Sequence, residues 1–169
     1  MILTYKVKLK PNNKQERRFF EYAGCARYVY NWVLDKEEKQ YQEYLKDSSV
    51  ASFLKEGTLR KELTVLKKQK GYEWLQNIDC NVAKQAVKDA CLAHQRYFKH
   101  QSLKPQRKTK KRIKPSFYQD TSNIKIENNK VRLTAIANSR KKNRQKLNWV
   151  KIVTKNYIPT GEKVKYYNP

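Results

Sequence analysis

The sequence predicts an α+β protein in which a small sheet or β-barrel is split in sequence by an inserted helical bundle. Three observations predict it. Residues 3–9 alternate apolar and polar, the long middle of the chain carries apolar side chains at three- and four-residue steps, and period two returns from residue 124 onward. A lone strand cannot bury its apolar face, so the first one must pair with strands that follow the helices.

In the first strand Leu3, Tyr5, Val7 and Leu9 make one face and Thr4, Lys6, Lys8 and Lys10 the other, so its outer side can meet phosphate. Pro11 ends it. Asn12 and Gln15 stand three residues apart, the spacing at which an N-cap and an N3 side chain satisfy each other's backbone donors. Phe19, Tyr22, Ala26, Val29 and Val33 then mark a long amphipathic helix that continues towards Leu45 through Tyr41 and Tyr44. Residues 48–57 read as a connection. Leu59, Leu63 and Leu66 mark a shorter helix ended by a lysine-rich turn and Gly71, with Tyr72, Trp74 and Leu75 expected to pin that turn to the bundle. A third helix runs from about Asp79 to Gln101. Its apolar side holds Ala83, Ala86, Val87, Ala90, Ala93, Tyr97 and Phe98, whose small members permit close packing; Asn81, Lys84, Gln85, Lys88, Gln95 and Arg96 lie opposite.

Residues 104–114 (KPQRKTKKRIK) hold seven cations in eleven positions, with Pro105 and Pro115 at the ends. Like charges repel and there is little to bury, so this run is expected to be disordered when free. Ile124 and Ile126 then face Val131 and Leu133 across Asn128 and Asn129, a hairpin signal because Asn tolerates the positive φ of a tight turn. A second cationic cluster, residues 140–146, has five charges in seven positions and leads into a strand with Trp149, Val150, Ile152 and Val153. Residues 164–167 are read as a last strand, after a turn at 159–161.

Lys and Arg number 39 against 15 Asp and Glu, a formal charge of +24 with a pI near 10.0. Charge this large identifies partners rather than a fold, and a phosphate backbone is the fitting polyanion. An anionic membrane surface is the competitor, but no run approaches the roughly 18 apolar residues of a spanning helix and no lipidation signal is present. Hydrophobic residues make up only 38%, yet the aromatics, 12 Tyr among them, supply enough area for one or two small folded units, partly disordered when alone. The opening MILTYKVKLK has neither an apolar run nor a cleavage site, so an intracellular protein is expected, cytoplasmic and nucleoid-associated. Cys25, Cys80 and Cys91 form no CxxC pair, and His94 and His100 have no metal-site spacing to them. Neither a metal site nor a cofactor is expected; Cys91 reads as a small buried hydrophobe.

The opening YKVKLKPNNKQ, followed by GCARYVYNWVL at residues 24–34, resembles the strand, the Pro-x-x-x-Gln cap and the (A/C)-R-x-V-Y-N-x-x-L helix of TnpB/OrfB transposon proteins, relatives of type V CRISPR effectors. LRKELTVLKK, NVAKQAVKDACLAHQRYFK, KPSFYQDTSNIKIENNKVRL and SRKKNRQKLNWVKI continue the resemblance in order through nearly the whole chain. The resemblance implies a wedge domain, a small oligonucleotide-binding-like β-barrel, interrupted by a helical recognition domain. On that division residues 1–10 are the first barrel strand, 11–103 the recognition domain, 104–114 a basic linker and 115–169 the rest of the barrel. In the family these domains hold a guide RNA scaffold and read a short motif on duplex DNA beside the target. A RuvC nuclease domain follows them, and this chain is expected to stop where that domain begins.

A two-metal nuclease needs several converging carboxylates, and after residue 101 only Asp120, Glu127 and Glu162 remain. No intrinsic catalysis is therefore expected, and no catalytic or metal residues are assigned. For RNA the candidates are Lys6, Lys8, Arg27, Asn31, Lys108, Lys110, Lys111, Arg112, Arg140, Lys141, Lys142 and Arg144, because cationic runs without acidic neighbours in sequence suit phosphate. Arg27 and Asn31, one helical turn apart, can reach phosphate or ribose together. The bland reading of that cluster is packing by Tyr30 and Trp32 with Asn31 satisfying a turn. For duplex DNA the candidates are Asn81, Lys84, Gln85, Lys88, Ser116 and Tyr118, since Asn and Gln make paired hydrogen bonds to adenine edges. Three functions are compatible: a guide-RNA and DNA recognition lobe, either a fragment of a nuclease or one part of a split effector that works with a RuvC partner in trans; a stand-alone DNA-binding regulator or transposition accessory; and a truncated remnant with no retained task.

Overall fold

The computed structural model describes residues 5–120, 124–127, 129–133 and 149–153. In order these form β1 (Leu9–Lys10), α1 (Asn13–Lys46), α2 (Glu56–Leu66), a 3-10 turn (Glu73–Asn77), α3 (Cys80–Phe98), β2 (Ile124–Glu127), β3 (Lys130–Leu133) and β4 (Val150–Ile152). Two compact units result: Met1–Glu21 with Gln119–Pro169, and Tyr22–Tyr118.

The first unit is built on a sheet of order β1-β4-β3-β2, antiparallel throughout. Its strands obey the two-residue period. Ile124, Val131, Val150 and Ile152 are buried and pack with Val7, Leu9, Phe19, Ile126 and Leu133, while Lys6, Lys8 and Lys10 stay exposed. The hairpin register pairs Ile124 with Leu133 and Ile126 with Val131, and Asn129 takes φ 59° in the turn. Among the described residues ladder pairing of the first strand involves Leu9 and Lys10, with Val153 donating to the Lys8 carbonyl beyond it at 2.9 Å.

Among the described residues this sheet is open, not the closed barrel expected. Closure needs strands long enough to tilt and stagger around a ring. Strands of two to four residues supply too few ladder bonds for that. The expected strand at 164–167, the turn at 159–161 and the cluster at 140–146 lie outside the described residues, as do Leu3, Thr4 and Asn128.

α1 starts where its cap dictates. The Gln15 N–H donates to Asn12 Oδ1 at 2.9 Å, and the Asn12 N–H donates to Gln15 Oε1 at 3.0 Å, a reciprocal box that satisfies two otherwise orphan donors. Gln15 is buried, and its Nε2 also donates to the Trp149 carbonyl at 3.2 Å, which fixes the helix start to the chain entering β4. At the other end the Ser49 N–H donates to Asp47 Oδ1 and turns the chain away.

In the helical unit α1 buries Tyr22, Cys25, Val29, Val33 and Leu34, α2 buries Leu59 and Leu63, and α3 buries Val82, Ala83, Ala86, Val87, Ala90 and Cys91. Asp79 caps α3 by accepting from the Asn81 N–H at 2.8 Å. His100, at φ 56°, closes it: its N–H donates to the Tyr97 carbonyl and that of Gln101 to the Arg96 carbonyl, so α3 stops before the expected Gln101. Tyr97 and Phe98, expected on the buried side, are exposed there. Glu37 is a buried carboxylate held by the Leu54 N–H at 3.2 Å; burial pushes its acidity towards the neutral form and that bond partly offsets the push.

The reciprocal cap makes a quantitative expectation. Asn12→Ala should lower unfolding stability by about 0.5–2 kcal/mol, whereas Asn12→Ser should cost a few tenths, as measured by urea titration of the whole chain.

Candidate nucleic-acid interface

Within the helical unit, residues 104–118 run along α1 as an extended strap. The contacts descend the helix: Lys104 Nζ reaches Glu38 at 2.8 Å, Arg107 pairs with Asp35, Lys108 meets Asn31 and Tyr30, and Phe117 packs on Tyr22 with ring centroids 5.2 Å apart. The strap therefore runs antiparallel to α1. Asn31 is its clamp, with Nδ2 donating to the Lys108 carbonyl at 2.9 Å and Oδ1 accepting the Lys108 N–H at 2.8 Å. An amide that offers donor and acceptor side by side copies a strand partner and leaves neither backbone group unpaired.

The expectation that this run is disordered fails for its first half. Its acidic counterparts exist, but they lie 66 and 72 residues upstream in sequence. The two ion pairs are exposed and each is worth only about 0–1 kcal/mol. The half-buried amide clamp, at about 0.5–1.5 kcal/mol per bond, is the stronger tether.

Lys108 differs from its neighbours. Its ammonium lies 4.0 Å from the centroid of the Tyr30 ring. Burial holds it below the usual lysine range, and the Asp89 carboxylate partly counters that; burial and then Asp89 push the Tyr30 phenol up. Asp89 in turn accepts from Gln85 Nε2 at 2.8 Å. The structure thus brings Tyr30 and Asn31 of α1, Gln85 and Asp89 of α3, and Lys108 into one neighbourhood.

Beyond the clamp the strap turns at 109–113, where the Ile113 N–H reaches the Thr109 carbonyl at 3.2 Å, and Lys110, Lys111, Arg112 and Lys114 are exposed around that turn. Ser116 is exposed, and Tyr118 and Arg27 are half-buried. On α3 Lys84 and Lys88 are exposed, and Asn81 and Gln85 half-buried, all on the face away from the core. Arg140, Lys141, Lys142 and Arg144 lie outside the described residues.

A separate cationic surface covers the outer face of the sheet. Register sets Lys10 opposite Lys151 and Lys151 opposite Lys130, a row of three exposed lysines across β1, β4 and β3. Lys125 and Arg132 pair alongside, Lys6 and Lys8 extend β1, and Glu127 opposite Lys130 is the acid that shares the row. Like charges placed directly opposite destabilise a sheet. Sequence reading had found Lys6 and Lys8 but missed Lys130, Arg132 and Lys151. The alternation in each strand signals which residues face outward, but not which strands adjoin.

Cys25 and Cys91 are buried thiols pushed up to about 12 by desolvation, with Lys67 easing the first and Glu37 adding to the second. They are inert at neutral pH. Among the described residues no group of three His, Cys, Asp or Glu is placed to hold a metal ion, and no helix is long and apolar enough to cross a membrane.

A family model described as a helix-turn-helix domain, of the OrfB (IS605) type, matches residues 1–46. The N-terminal region is thus of the TnpB/OrfB transposon-associated kind. The matched span folds here as a short strand and one uninterrupted helix, with no turn between residues 13 and 46. No curated protein matches the chain.

If the Asn31 amide sets the strap, Asn31→Ala should expose residues 107–114 to trypsin many-fold faster while unfolding stability falls by about 1–3 kcal/mol. Lys104→Gln should change cleavage little. Equal protection of Asn31→Ala and wild type in timed digests would refute the clamp.

Proposed function

We propose that this chain is the nucleic-acid-binding lobe of a TnpB-like protein, holding a guide RNA scaffold and recognising target-adjacent duplex DNA, with no nuclease site of its own. One observation carries the reading. The family-matched residues 1–46 supply β1 to the lysine-faced sheet, and they supply Asn31, Asp35 and Glu38 to the basic strap.

RNA takes exposed cations that no ion pair among the described residues engages. Lys110, Lys111, Arg112 and Lys114 on the strap turn, and the Lys10, Lys151 and Lys130 row on the sheet, suit phosphates that position a backbone without reading it. Asn31 acts from behind, as a positioning residue, and Lys108 is held on Tyr30. Duplex DNA is assigned to the exposed face of α3. Gln85 gives one N–H to Asp89 and keeps a second N–H and its carbonyl for a base edge, Asn81 stands one turn earlier, and Lys84 and Lys88 flank them for phosphate. Cleavage is left to a RuvC domain, of the same protein or of a polypeptide in trans, and no cofactor enters the proposal.

A stand-alone DNA-binding regulator or transposition accessory is the second reading, favoured by the helix-turn-helix description of the matched family. It differs in one observable: it selects a duplex sequence with no RNA supplied.

The test is a salt titration of RNA binding joined to a randomised-duplex selection, with RNA recovered from the host complex as guide. Log K should fall against log salt with a slope of about −0.7 to −0.9 per phosphate contact, and replacing Lys110, Lys111 and Arg112 with Ala should flatten that slope by about two to three. Gln85→Ala should leave RNA affinity nearly unchanged and relax the duplex preference by about 1–3 kcal/mol at one position. A flat salt dependence in wild type removes the RNA assignment, and magnesium-dependent cutting by the purified chain removes the assignment of catalysis to a RuvC domain.

A further inference from the structure

Tyr28 on α1, Tyr72 and Trp74 form an aromatic cluster beside the turn that follows α2. Tyr28 and Trp74 meet edge to face with centroids 5.4 Å apart, and Tyr28 and Tyr72 lie 6.2 Å apart. Burial, then the hydrogen bond with Tyr72, pushes the Tyr28 phenol up to about 12. Leu75, fully buried, already anchors the 3-10 turn in the core. Trp74, which meets α1 through Tyr28 as the sequence analysis expects, nevertheless remains 40% exposed.

The turn between is short, cationic and held. Lys68 and Lys70 are exposed and Lys67 half-buried; Gly71 adopts φ 90°, its N–H donates to Glu73 at 2.8 Å, and Gln76 Nε2 donates to the Lys67 carbonyl at 2.6 Å. The nearest carboxylate in the turn, Glu73, is thereby engaged by the backbone. An exposed indole braced by a tyrosine, with lysines set a few residues before it, offers a π face and positive charge together.

We infer that Trp74, braced by Tyr28 and Tyr72, is a stacking platform for an unpaired base, and that Lys68 and Lys70 take the adjoining phosphates of a single-stranded segment. An unpaired nucleotide is the partner that presents a flat π face and an anion together; a duplex hides its base faces in the stack. An acidic peptide would satisfy the lysines but leave the indole uncovered. The inference rests on the nucleic-acid reading above and adds to it a class of site, stacking on single strands, distinct from the phosphate surfaces of the strap and sheet.

The experiment measures fluorescence anisotropy of a labelled oligothymidylate and of a duplex of equal length, across a salt series, on the full chain. Trp74→Ala should weaken single-strand binding about five- to hundredfold with the salt slope and the duplex affinity unchanged, because a stacked base contributes without releasing counterions. Trp74→Phe should stay within about threefold of wild type. Replacing Lys68 and Lys70 with Gln should instead lower the slope by about 0.7 for each contact. Trp74→Leu, which keeps apolar bulk and loses the π face, serves as a second variant should Trp74→Ala fail to fold, and it should bind like Trp74→Ala. Wild type that binds no oligonucleotide at all sinks the functional reading as a whole. Wild type that binds, with Trp74→Ala and Trp74→Leu keeping wild-type single-strand affinity or losing duplex and single strand alike, sinks the platform alone.

Discussion

A chain with 39 cationic and 15 anionic side chains can stay compact only if its few carboxylates stand where they hold cationic segments in place. α1 meets that constraint. Asp35 and Glu38 make an acidic edge with Asn31 on the same side of the helix, four and three residues apart, and the edge receives Arg107, Lys104 and the backbone of Lys108. Elsewhere carboxylates are spent within a helix, Glu21 on Arg17 and Arg18 and Glu56 on Arg60, or between α1 and α2, Glu62 on Lys36. Few remain to answer the sheet face or the turn at 109–113, so these cations project into solvent.

That leftover charge has a thermodynamic reading. Lys10, Lys151 and Lys130 sit directly across from one another, where each cross-strand pair of like charges costs stability. On the proposed function the cost is offset when a polyanion binds, and binding to the folded state raises its stability by mass action. Among the described residues the sheet's buried side comprises Ile124, Val131, Val150 and Ile152 with five partly buried neighbours.

What could be read in the sequence was whatever depends on near neighbours. The Asn12 and Gln15 box, the burial of Tyr22, Val29 and Val33, the hairpin register of Ile124 and Ile126 against Val131 and Leu133, and the anchoring by Leu75 all follow from spacings under ten residues. What could not be read is long-range. Nothing around residue 104 shows that Glu38 will meet it, and composition alone made the strap look unpartnered. The sheet's closure failed to appear among the described residues for a related reason, because periodicity marks a strand's faces without fixing how far its pairing extends. In the candidate site, Lys6 and Lys8 were found because their own strand alternates, whereas Lys130 and Lys151 became neighbours only through β3 and β4. Asn31 is a candidate for RNA on its spacing from Arg27, and nothing in that spacing shows that its amide also holds the backbone of Lys108.

The continuity of α1 limits how the matched N-terminal region can touch a ligand. Helix-turn-helix docking needs a second helix, set at an angle to the first, to enter a groove. From Asn13 to Lys46 there is one helix of 34 residues, and its apolar stripe is committed to the core. On the proposed function, contacts from this region come from the exposed lysines of β1, from side chains on the solvent edge of α1 and from segments that helix holds in place. Asn31 illustrates the last route: its amide sets the backbone of Lys108, and two residues later the chain turns to present Lys110, Lys111 and Arg112. A long helix used in this way is a ruler for an otherwise featureless basic segment. The specificity of the segment's placement lies in the two hydrogen bonds of one amide, because ion pairs between exposed side chains tolerate a slip of a residue and a backbone-mimicking clamp does not.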